Sequence, residues 1–169
     1  MQEGNTFIPW YNDQLVDFLS AYLKEGMEVF EYGCGYSTLF YAQKSCNVYA
    51  SETRQEWVTE INTIAQKNNL INNINIQIIH PTEFPQSILC NRVQYNVIAV
   101  DSIRRLECLK CAKSSCNGII ILDNSERENL QQADCIMQGF QYKVFEGRGV
   151  NREGTSQAKV YTATEIHCL

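Results

Sequence analysis

The chain has 169 residues, of which 44% are hydrophobic and 20% are charged, and its formal net charge at neutral pH is −5. This length suits one domain, and the balance of apolar and charged residues excludes a chain that is disordered over most of its length. The negative charge argues against a main task in binding nucleic acid, because phosphate binding draws on clustered lysines and arginines. We therefore expect no nucleic-acid partner.

Hydrophobic periodicity predicts helices and strands that alternate along the chain with short connections. In chain order they are a helix over 13–24, a strand over 28–32, a helix over 37–44, a strand over 47–51, a helix over 55–68, strands over 74–79 and 95–100, a helix over 106–112, a strand over 119–122, a helix over 130–137, and strands over 142–145 and 159–163. Asn12 or Asp13 is expected to cap the first helix, because a short polar side chain there can accept a hydrogen bond from an unpaired amide.

Strands separated by helices are typical of a parallel sheet that is covered on both faces. The apolar run 97–100 fits a strand buried on both sides better than a strand with one wet face. We predict an α/β fold with one doubly wound, mostly parallel, Rossmann-like sheet of about seven strands and helices on both faces. Residues 1–169 are expected to form this single domain, with 1–27 as an N-terminal helical extension.

Neither a targeting segment nor a membrane span is visible in the sequence. The first five residues lack the basic start and apolar core of a signal peptide, and the strongly apolar run at 118–122 falls far short of the ~20 residues that cross a bilayer. These features predict a cytoplasmic protein without a membrane partner. They leave the oligomeric state open.

Eight cysteines are present, and we expect them to be reduced thiols in the core or on the surface. An even cysteine count indicates a disulfide framework only in short secreted chains. Cys108, Cys111 and Cys116 have the spacing of half a zinc site, but the usual second pair is missing. The full set is Cys34, Cys46, Cys90, Cys108, Cys111, Cys116, Cys135 and Cys168.

A glycine turn follows the first predicted strand, in the run Glu31-Tyr32-Gly33-Cys34-Gly35-Tyr36-Ser37-Thr38. Two glycines let the backbone turn sharply and approach a ligand closely, and Ser37 or Thr38 can cap the next helix. Glu52 ends the second strand 19 residues after Gly33, where an acid can accept hydrogen bonds from ribose hydroxyls. Together the turn and the acid favour a nucleoside-type ligand. The structural alternatives are that the glycines only make a tight turn and that Glu52 is only a solvated side chain.

The glycine run resembles the first motif of class I S-adenosylmethionine-dependent methyltransferases, acid-x-Gly-x-Gly-x-Gly, with Ser37 at the place of the third glycine. The resemblance implies S-adenosylmethionine (SAM) as cofactor, with its methionine end at the glycine loop and its ribose at Glu52. A dinucleotide loop would carry its third glycine at position 38, which is Thr38 here, so a nicotinamide-dependent oxidoreductase is a disfavoured alternative. The cofactor-binding residues implied by the resemblance are Glu31, Gly33, Cys34, Gly35, Ser37, Thr38 and Glu52.

A third group of polar residues follows the later strands: Asp101 ends one strand, and Asp123 and Asn124 end the next. Three oxygen ligands at one edge of the sheet would suit Mg²⁺ or Ca²⁺. The arrangement is similar to that of metal-dependent catechol-type O-methyltransferases, which also carry a lysine base three residues after the first aspartate. Here that position is Arg104, which stays protonated and cannot serve as a base. The alternative is that Asp101 touches cofactor or substrate while Asp123 and Asn124 cap the following helix.

The predicted function is SAM-dependent methyl transfer to a small-molecule acceptor, with Asp101 as the first candidate for a catalytic base. The alternative from another class is a binding protein on the same fold that has lost turnover. The arginine pair after Asp101 and the loop between the last two strands each have two possible interpretations. The adjacent Arg104 and Arg105 either hold an anionic acceptor or face solvent, and the loop over 148–154 is either a lid or a hairpin turn.

Overall fold

The computed structural model describes residues 6–91, 93–149 and 154–163. Within these residues seven strands form one sheet, one α-helix precedes the first strand, and four α-helices and four 3₁₀ segments lie between strands. The strands are β1 Glu28–Tyr32, β2 Asn47–Glu52, β3 Ile74–Ile78, β4 Tyr95–Val100, β5 Cys116–Asp123, β6 Gln141–Arg148 and β7 Thr155–Thr162. The helices are α1 Asp13–Tyr22, α2 Tyr36–Gln43, α3 Gln55–Lys67, α4 Arg105–Ala112 and α5 Ala133–Ile136, and the 3₁₀ segments are Ile71–Asn73, Phe84–Asn91, Lys113–Ser115 and Glu128–Leu130.

The sheet has the strand order β3-β2-β1-β4-β5-β7-β6. The first five strands in this order pair in parallel, whereas β7 pairs antiparallel with both β5 and β6. The chain runs outward from β1 to β3 on one side and then returns to place β4 and β5 on the other side. In such sheets ligands bind beyond the carboxyl ends of the strands at this point of reversal, here between β1 and β4.

Alternate residues of each central strand point to opposite faces of the sheet, and each face carries its own apolar core. Ile119 and Ile121 of β5 join the core beneath α1, α2 and α3, whereas Ile120 and Leu122 join the core beneath α4 and α5. Helices therefore cover both faces, and the predicted doubly wound α/β fold with its mostly parallel seven-stranded sheet is confirmed.

The N-terminal helix α1 is part of this arrangement. Its buried Leu15 and Leu19 lie in the same core as Val29 of β1. Asn12 is the residue that caps it, with its side-chain oxygen accepting a hydrogen bond from the Leu15 amide at 3.0 Å. A cap of this kind stabilises a helix by about 1 kcal/mol. The Asn12 amide group also donates to the Phe145 carbonyl at 3.1 Å, which ties the helix start to β6.

The largest differences from the predicted elements lie in the second half of the chain. The Phe84–Asn91 segment forms a 3₁₀ helix that periodicity did not predict, and the Tyr32 hydroxyl fastens it to β1 by donating to the Pro85 carbonyl at 2.7 Å. The predicted helix over 130–137 is much shorter, since only Ala133–Ile136 is α-helical. Its apolar residues have helical spacing because they fill one core, although the backbone breaks into a 3₁₀ turn and a single α turn.

Among the described residues, no helix is long and apolar enough to cross a membrane. The seven described cysteines are free thiols, and Cys168 lies outside the described residues, as does His167. The arms of the β6–β7 hairpin pair as far as Arg148 and Thr155. The loop interpreted as a lid or a hairpin turn falls largely on residues 150–153, outside the described residues.

Candidate functional site

A cleft opens at the carboxyl ends of β1, β2 and β4, where the strand order reverses. Its volume is about 240 Å³. The predicted Glu31, Gly33, Cys34, Gly35, Ser37, Glu52 and Asp101 all line it, and so do Trp10, Tyr32, Tyr36, Arg54, Trp57 and Ser102. Residues that are far apart in sequence therefore meet in one cleft.

The first glycine of the turn allows two loops to approach each other. Gly33 has a φ of +100°, which side chains rarely adopt, and its amide donates to the Ser51 carbonyl of β2 at 2.8 Å. A Cβ atom there would lie 3.2 Å from Cβ of Ser102 and 3.3 Å from the Asp101 carbonyl oxygen. Glycine at this position thus keeps the loop after β1 against the loop after β4.

Glu31 is almost completely buried at the floor of the cleft, with 2% of its surface exposed. Its carboxylate accepts hydrogen bonds from the hydroxyls of Ser37 and Thr38 on the first turn of α2. Burial raises the pKa of Glu31 to about 8, the two hydroxyls act in the opposite direction, and the nearby negative charges of Asp101 and Glu52 raise it further. Near neutral pH this acid is therefore poised to change charge when a cation enters the cleft.

Glu52 organises the turn at the end of β2. One carboxylate oxygen accepts from the Cys34 amide of the glycine loop at 3.2 Å, and the other accepts from the amides of Thr53 at 2.7 Å and Arg54 at 3.0 Å. The side chain is buried, yet it lines the cleft. Glu52 thus joins the glycine loop to β2 and presents a carboxylate to the cleft at the same time.

The other predicted loop residues divide into two kinds. Cys34, Gly35 and Ser37 line the cleft, and burial raises the pKa of the Cys34 thiol far above its usual range. Thr38 does not line the cleft but lies beneath it, where its hydroxyl oxygen accepts from the Gly35 amide at 3.0 Å. Gly35 is the N-cap residue of α2, so the predicted cap is wrong for Ser37, whose hydroxyl is directed to Glu31. Thr38 does take part in capping, because its hydroxyl oxygen accepts from the amide of the N-cap residue Gly35 while its hydroxyl donates to Glu31.

Sequence reasoning missed an aromatic rim on the cleft. The Trp10 indole stacks on Tyr36 with ring centroids 5.8 Å apart and meets Trp57 edge-on at 6.0 Å. The Arg54 guanidinium lies 5.2 Å from the centre of the Trp57 ring. Trp10 remains 43% exposed, so it presents apolar surface to an otherwise polar cleft. An isolated tryptophan next to Pro9 was the one signal in the sequence that could have marked this residue.

Asp101 borders the cleft at the end of β4, and Arg105 of α4 fixes its orientation. Nη2 of Arg105 donates to Oδ1 of Asp101 at 2.6 Å, and Nε donates to the Ser102 carbonyl at 3.0 Å. Nη1 of the same guanidinium donates to the Asp123 carbonyl at the end of β5. One arginine therefore ties together the loops that follow β4 and β5.

The residues predicted to hold Mg²⁺ do not fit a metal ion. Asp123 and Asn124 are buried and do not line the cleft, and Oδ1 of Asn124 accepts from the Arg127 guanidinium at 2.7 Å. With Arg105 bound to Asp101, an ion would meet guanidinium groups where it needs open oxygen ligands. Within 6–91, 93–149 and 154–163 no group of three His, Cys, Asp or Glu side chains could share an ion. The magnesium prediction is therefore not supported.

Comparison with known proteins points to one class of fold. No family model and no curated protein sequence matches the chain. A SAM-dependent O-methyltransferase from Thermotoga maritima matches with a TM-score of 0.73 at 16% identity, over 98% of this chain and 70% of that one. An O-methyltransferase from Streptomyces achromogenes in complex with SAM matches at 0.71 and 11% identity, over 87% and 77% of the two chains. This chain has the class I methyltransferase fold.

A third structure of this fold is close to the present chain in length. It is a precorrin-6y C5,15-methyltransferase from Geobacter metallireducens, with a TM-score of 0.68, 12% identity and coverage of 96% of this chain and 95% of that one. The class I methyltransferase fold predicted from the glycine motif is therefore confirmed. At these identities the likeness concerns the fold, and the chemistry has to be argued from the cleft itself.

Proposed function

We propose that this protein is a SAM-dependent methyltransferase that acts on a small-molecule acceptor. The observation that carries the proposal is the single cleft at the strand-order reversal, where the glycine loop, Glu31 and Glu52 meet Asp101. SAM fits the charge of this cleft, because its sulfonium and ammonium groups are positive, Glu52 and Asp101 line the cleft, and the raised pKa of Glu31 lets this acid become negative when a cation enters.

Each part of the cleft has a role in this proposal. The glycine loop and Glu31 would hold the methionine end of SAM, and Glu52 would accept hydrogen bonds from the ribose. SAM supplies a methyl group that is already activated on sulfur. The protein then has to align the acceptor and remove a proton where the acceptor needs it, and Asp101 at the border of the cleft is the group we assign to that task.

A binding protein without turnover is the second candidate, and the contact between Asp101 and Arg105 favours it. A carboxylate oxygen that accepts from a guanidinium at 2.6 Å is engaged before any acceptor arrives. The two candidates differ in a measurable way, since both bind SAM and only the enzyme forms S-adenosylhomocysteine. Formation of this product with any small acceptor would exclude the second candidate.

The test of cofactor binding compares two glycine variants by calorimetric titration with SAM. Gly33→Ala and Gly139→Ala both place a side chain at a positive φ, +100° and +93°. Only Gly33 lies in the cleft, whereas a Cβ at Gly139 meets nothing within 4 Å. We expect Gly33→Ala to weaken SAM binding by about tenfold or more, because the loop after β4 must shift, and Gly139→Ala to bind like the wild type.

The wild-type titration is decisive on its own. If folded wild-type protein binds neither SAM nor S-adenosylhomocysteine, the proposed function is wrong. Equal weakening in the two glycine variants would show that binding depends on general stability and not on this loop. Thermal unfolding of both variants provides the check, since each alanine has a similar backbone cost.

A further inference from the structure

A second cavity lies beside the cleft at the carboxyl edge of the sheet, between the start of α4 and the segment that follows β5. Its volume is about 400 Å³, within the range of small-molecule sites. Ser102 lines both the cleft and this cavity, so the two adjoin next to Asp101. Three arginines and one acid, Glu107, line it, and we refer to it as the arginine cavity.

Two of the three arginines have carboxylate partners. Arg105 is bound to Asp101, as described above. Arg104 donates from Nε to the Glu107 carboxylate at 2.6 Å and from Nη1 to the carbonyls of Pro81 and Thr82 at 2.9 Å each. Their charges are therefore offset, and both groups serve mainly to shape the wall of the cavity.

Arg127 is different, because a neutral amide holds it. Its Nη2 donates to Oδ1 of Asn124 at 2.7 Å, which orients the guanidinium without neutralising its charge. The adjacent Glu126 carboxylate accepts from the Gln157 amide of β7 at 3.1 Å. Arg127 is exposed, and it thus brings a positively charged group that Asn124 orients to the arginine cavity of a chain whose net charge is −5.

Apolar surface completes the cavity. Ile103 is 41% exposed and Leu106 is partly buried, and both line the cavity together with the buried Leu130. A molecule bound here would meet both hydrocarbon and guanidinium groups. This combination suits an acceptor with an apolar body and an anionic group, because arginine binds carboxylate and phosphate through paired N–H donors.

We propose that the arginine cavity is the acceptor site and that its acceptor is a small molecule with an apolar body and a carboxylate or phosphate group held by Arg127. This proposal rests on the proposed methyltransferase function. SAM would occupy the cleft, the acceptor would occupy the arginine cavity, and Asp101 would lie between them. The anionic group determines which molecules bind, and the position of Ser102 in both cavities brings the acceptor next to the cleft.

The test uses three small probes of similar size in ¹H–¹⁵N NMR titrations without cofactor: benzoate, phenyl phosphate and the neutral benzyl alcohol. We expect one of the two anions to shift the amides of 102–106 and 127–130 and to bind at least about tenfold more tightly than benzyl alcohol, since a charge-assisted hydrogen bond distinguishes them. Benzoate and phenyl phosphate report separately whether the site takes carboxylate or phosphate.

Three variants decide the role of Arg127. Arg127→Gln should weaken binding of the preferred anion by about tenfold, and Arg127→Lys should lie between it and the wild type because the charge is kept and the paired donors are lost. Lys110→Gln is the matched control, since Lys110 is an exposed cation of α4 that does not line the cavity. Its affinity should stay within about twofold of the wild type.

Several outcomes would overturn this proposal: equal binding of benzyl alcohol and the anions, shifts confined to other residues, or equal losses in Arg127→Gln and Lys110→Gln. Failure of SAM to bind is a separate result. If the anions bind through Arg127 and SAM does not, the anion site stands and the methyltransferase function fails. If SAM binds and none of the probes does, the acceptor proposal fails alone.

Discussion

The cleft and the arginine cavity adjoin at one edge of the sheet and carry opposite charge. In the cleft, the carboxylate of Glu52 accepts hydrogen bonds from backbone amides, and Glu31 accepts from hydroxyls. In the arginine cavity, the guanidiniums of Arg104 and Arg105 donate to backbone carbonyls. Carboxyl groups thus outnumber guanidiniums along the cleft, guanidiniums outnumber carboxyl groups along the arginine cavity, and the Asp101–Arg105 pair marks the boundary between the two regions.

This difference shows how a short chain separates two reactants without an added domain. The acidic region suits a sulfonium compound, and the basic region suits an anion. Asp101 of the boundary pair lies where a base could take a proton from the acceptor molecule beside SAM. Three substitutions test the contrast, and they follow in order of decreasing expected effect.

The first substitution acts at the boundary. Asp101→Asn keeps the shape of the side chain and removes its ability to take up a proton. We expect turnover to fall by about 10²–10⁴-fold while SAM binding is retained, because general-base catalysis contributes on this scale. The measurement is S-adenosylhomocysteine formation across a panel of hydroxybenzoates and hydroxyphenyl phosphates. A variant that turns over at the wild-type rate would remove Asp101 from the chemistry.

The second substitution acts within the acidic region. Glu52→Gln replaces a carboxylate that accepts from three amides, so we expect SAM affinity to fall by about 10–100-fold, with some loss of stability. Glu28→Gln is the matched control, since Glu28 is half-buried at the opposite end of β1 and accepts from Asn47 at 2.9 Å. Calorimetry and chemical denaturation separate the effects on binding from those on stability. Similar affinities in the two variants would leave Glu52 with a structural role only.

The third substitution tests the charge of Glu31. Because its pKa is raised to about 8 in the folded protein, the folded state keeps a proton that the unfolded chain releases above its ordinary pKa of 4.5. The free energy of unfolding should therefore fall as pH rises from about 4.5 to about 8 and level off above that range. Glu31→Gln should remove this part of the pH dependence, which chemical denaturation across pH 5–9 would measure.

The same charge change should appear in cofactor binding. SAM affinity of the wild type should rise by up to about tenfold per pH unit below pH 8, because a bound cation favours the ionised carboxylate. S-adenosylhomocysteine lacks the sulfonium charge and should show a shallower slope. Equal slopes for the two compounds, or an unchanged slope in Glu31→Gln, would show that this acid does not sense the sulfonium.

Much of the fold follows from local patterns. The runs around β1, β2 and β4 predict their strands to within one residue, because apolar strands between polar turns are distinctive. The Phe84–Asn91 segment and the four-residue α5 were not predicted in this form. In both, tertiary packing selects 3₁₀ or broken turns, and periodicity cannot distinguish these from a helix or a loop.

The candidate site divides in the same way. The glycine loop and Glu52 were predictable, since each belongs to a short run with a known geometric role. The aromatic rim was not, because Trp10 and Tyr36 are far apart in sequence and stack only in the folded chain. The magnesium prediction failed because it rested on strand ends alone. Parallel strands bring Asp101, Asp123 and Asn124 to one edge of the sheet, but the strand pattern does not reveal that Arg105 binds Asp101 and Arg127 binds Asn124.

By itself the sequence determined the alternation of strands and helices, the sharp turn at Gly33 and the acids at the ends of β1 and β2, because these depend on residues close together in the chain. Only the tertiary structure decided which groups meet across loops. Arg105 pairs with Asp101 four residues away, but it also reaches the Asp123 carbonyl 18 residues away, because parallel pairing of β4 and β5 brings their following loops side by side. Hydrogen bonds between loops depend on distances that exist only after the sheet has formed.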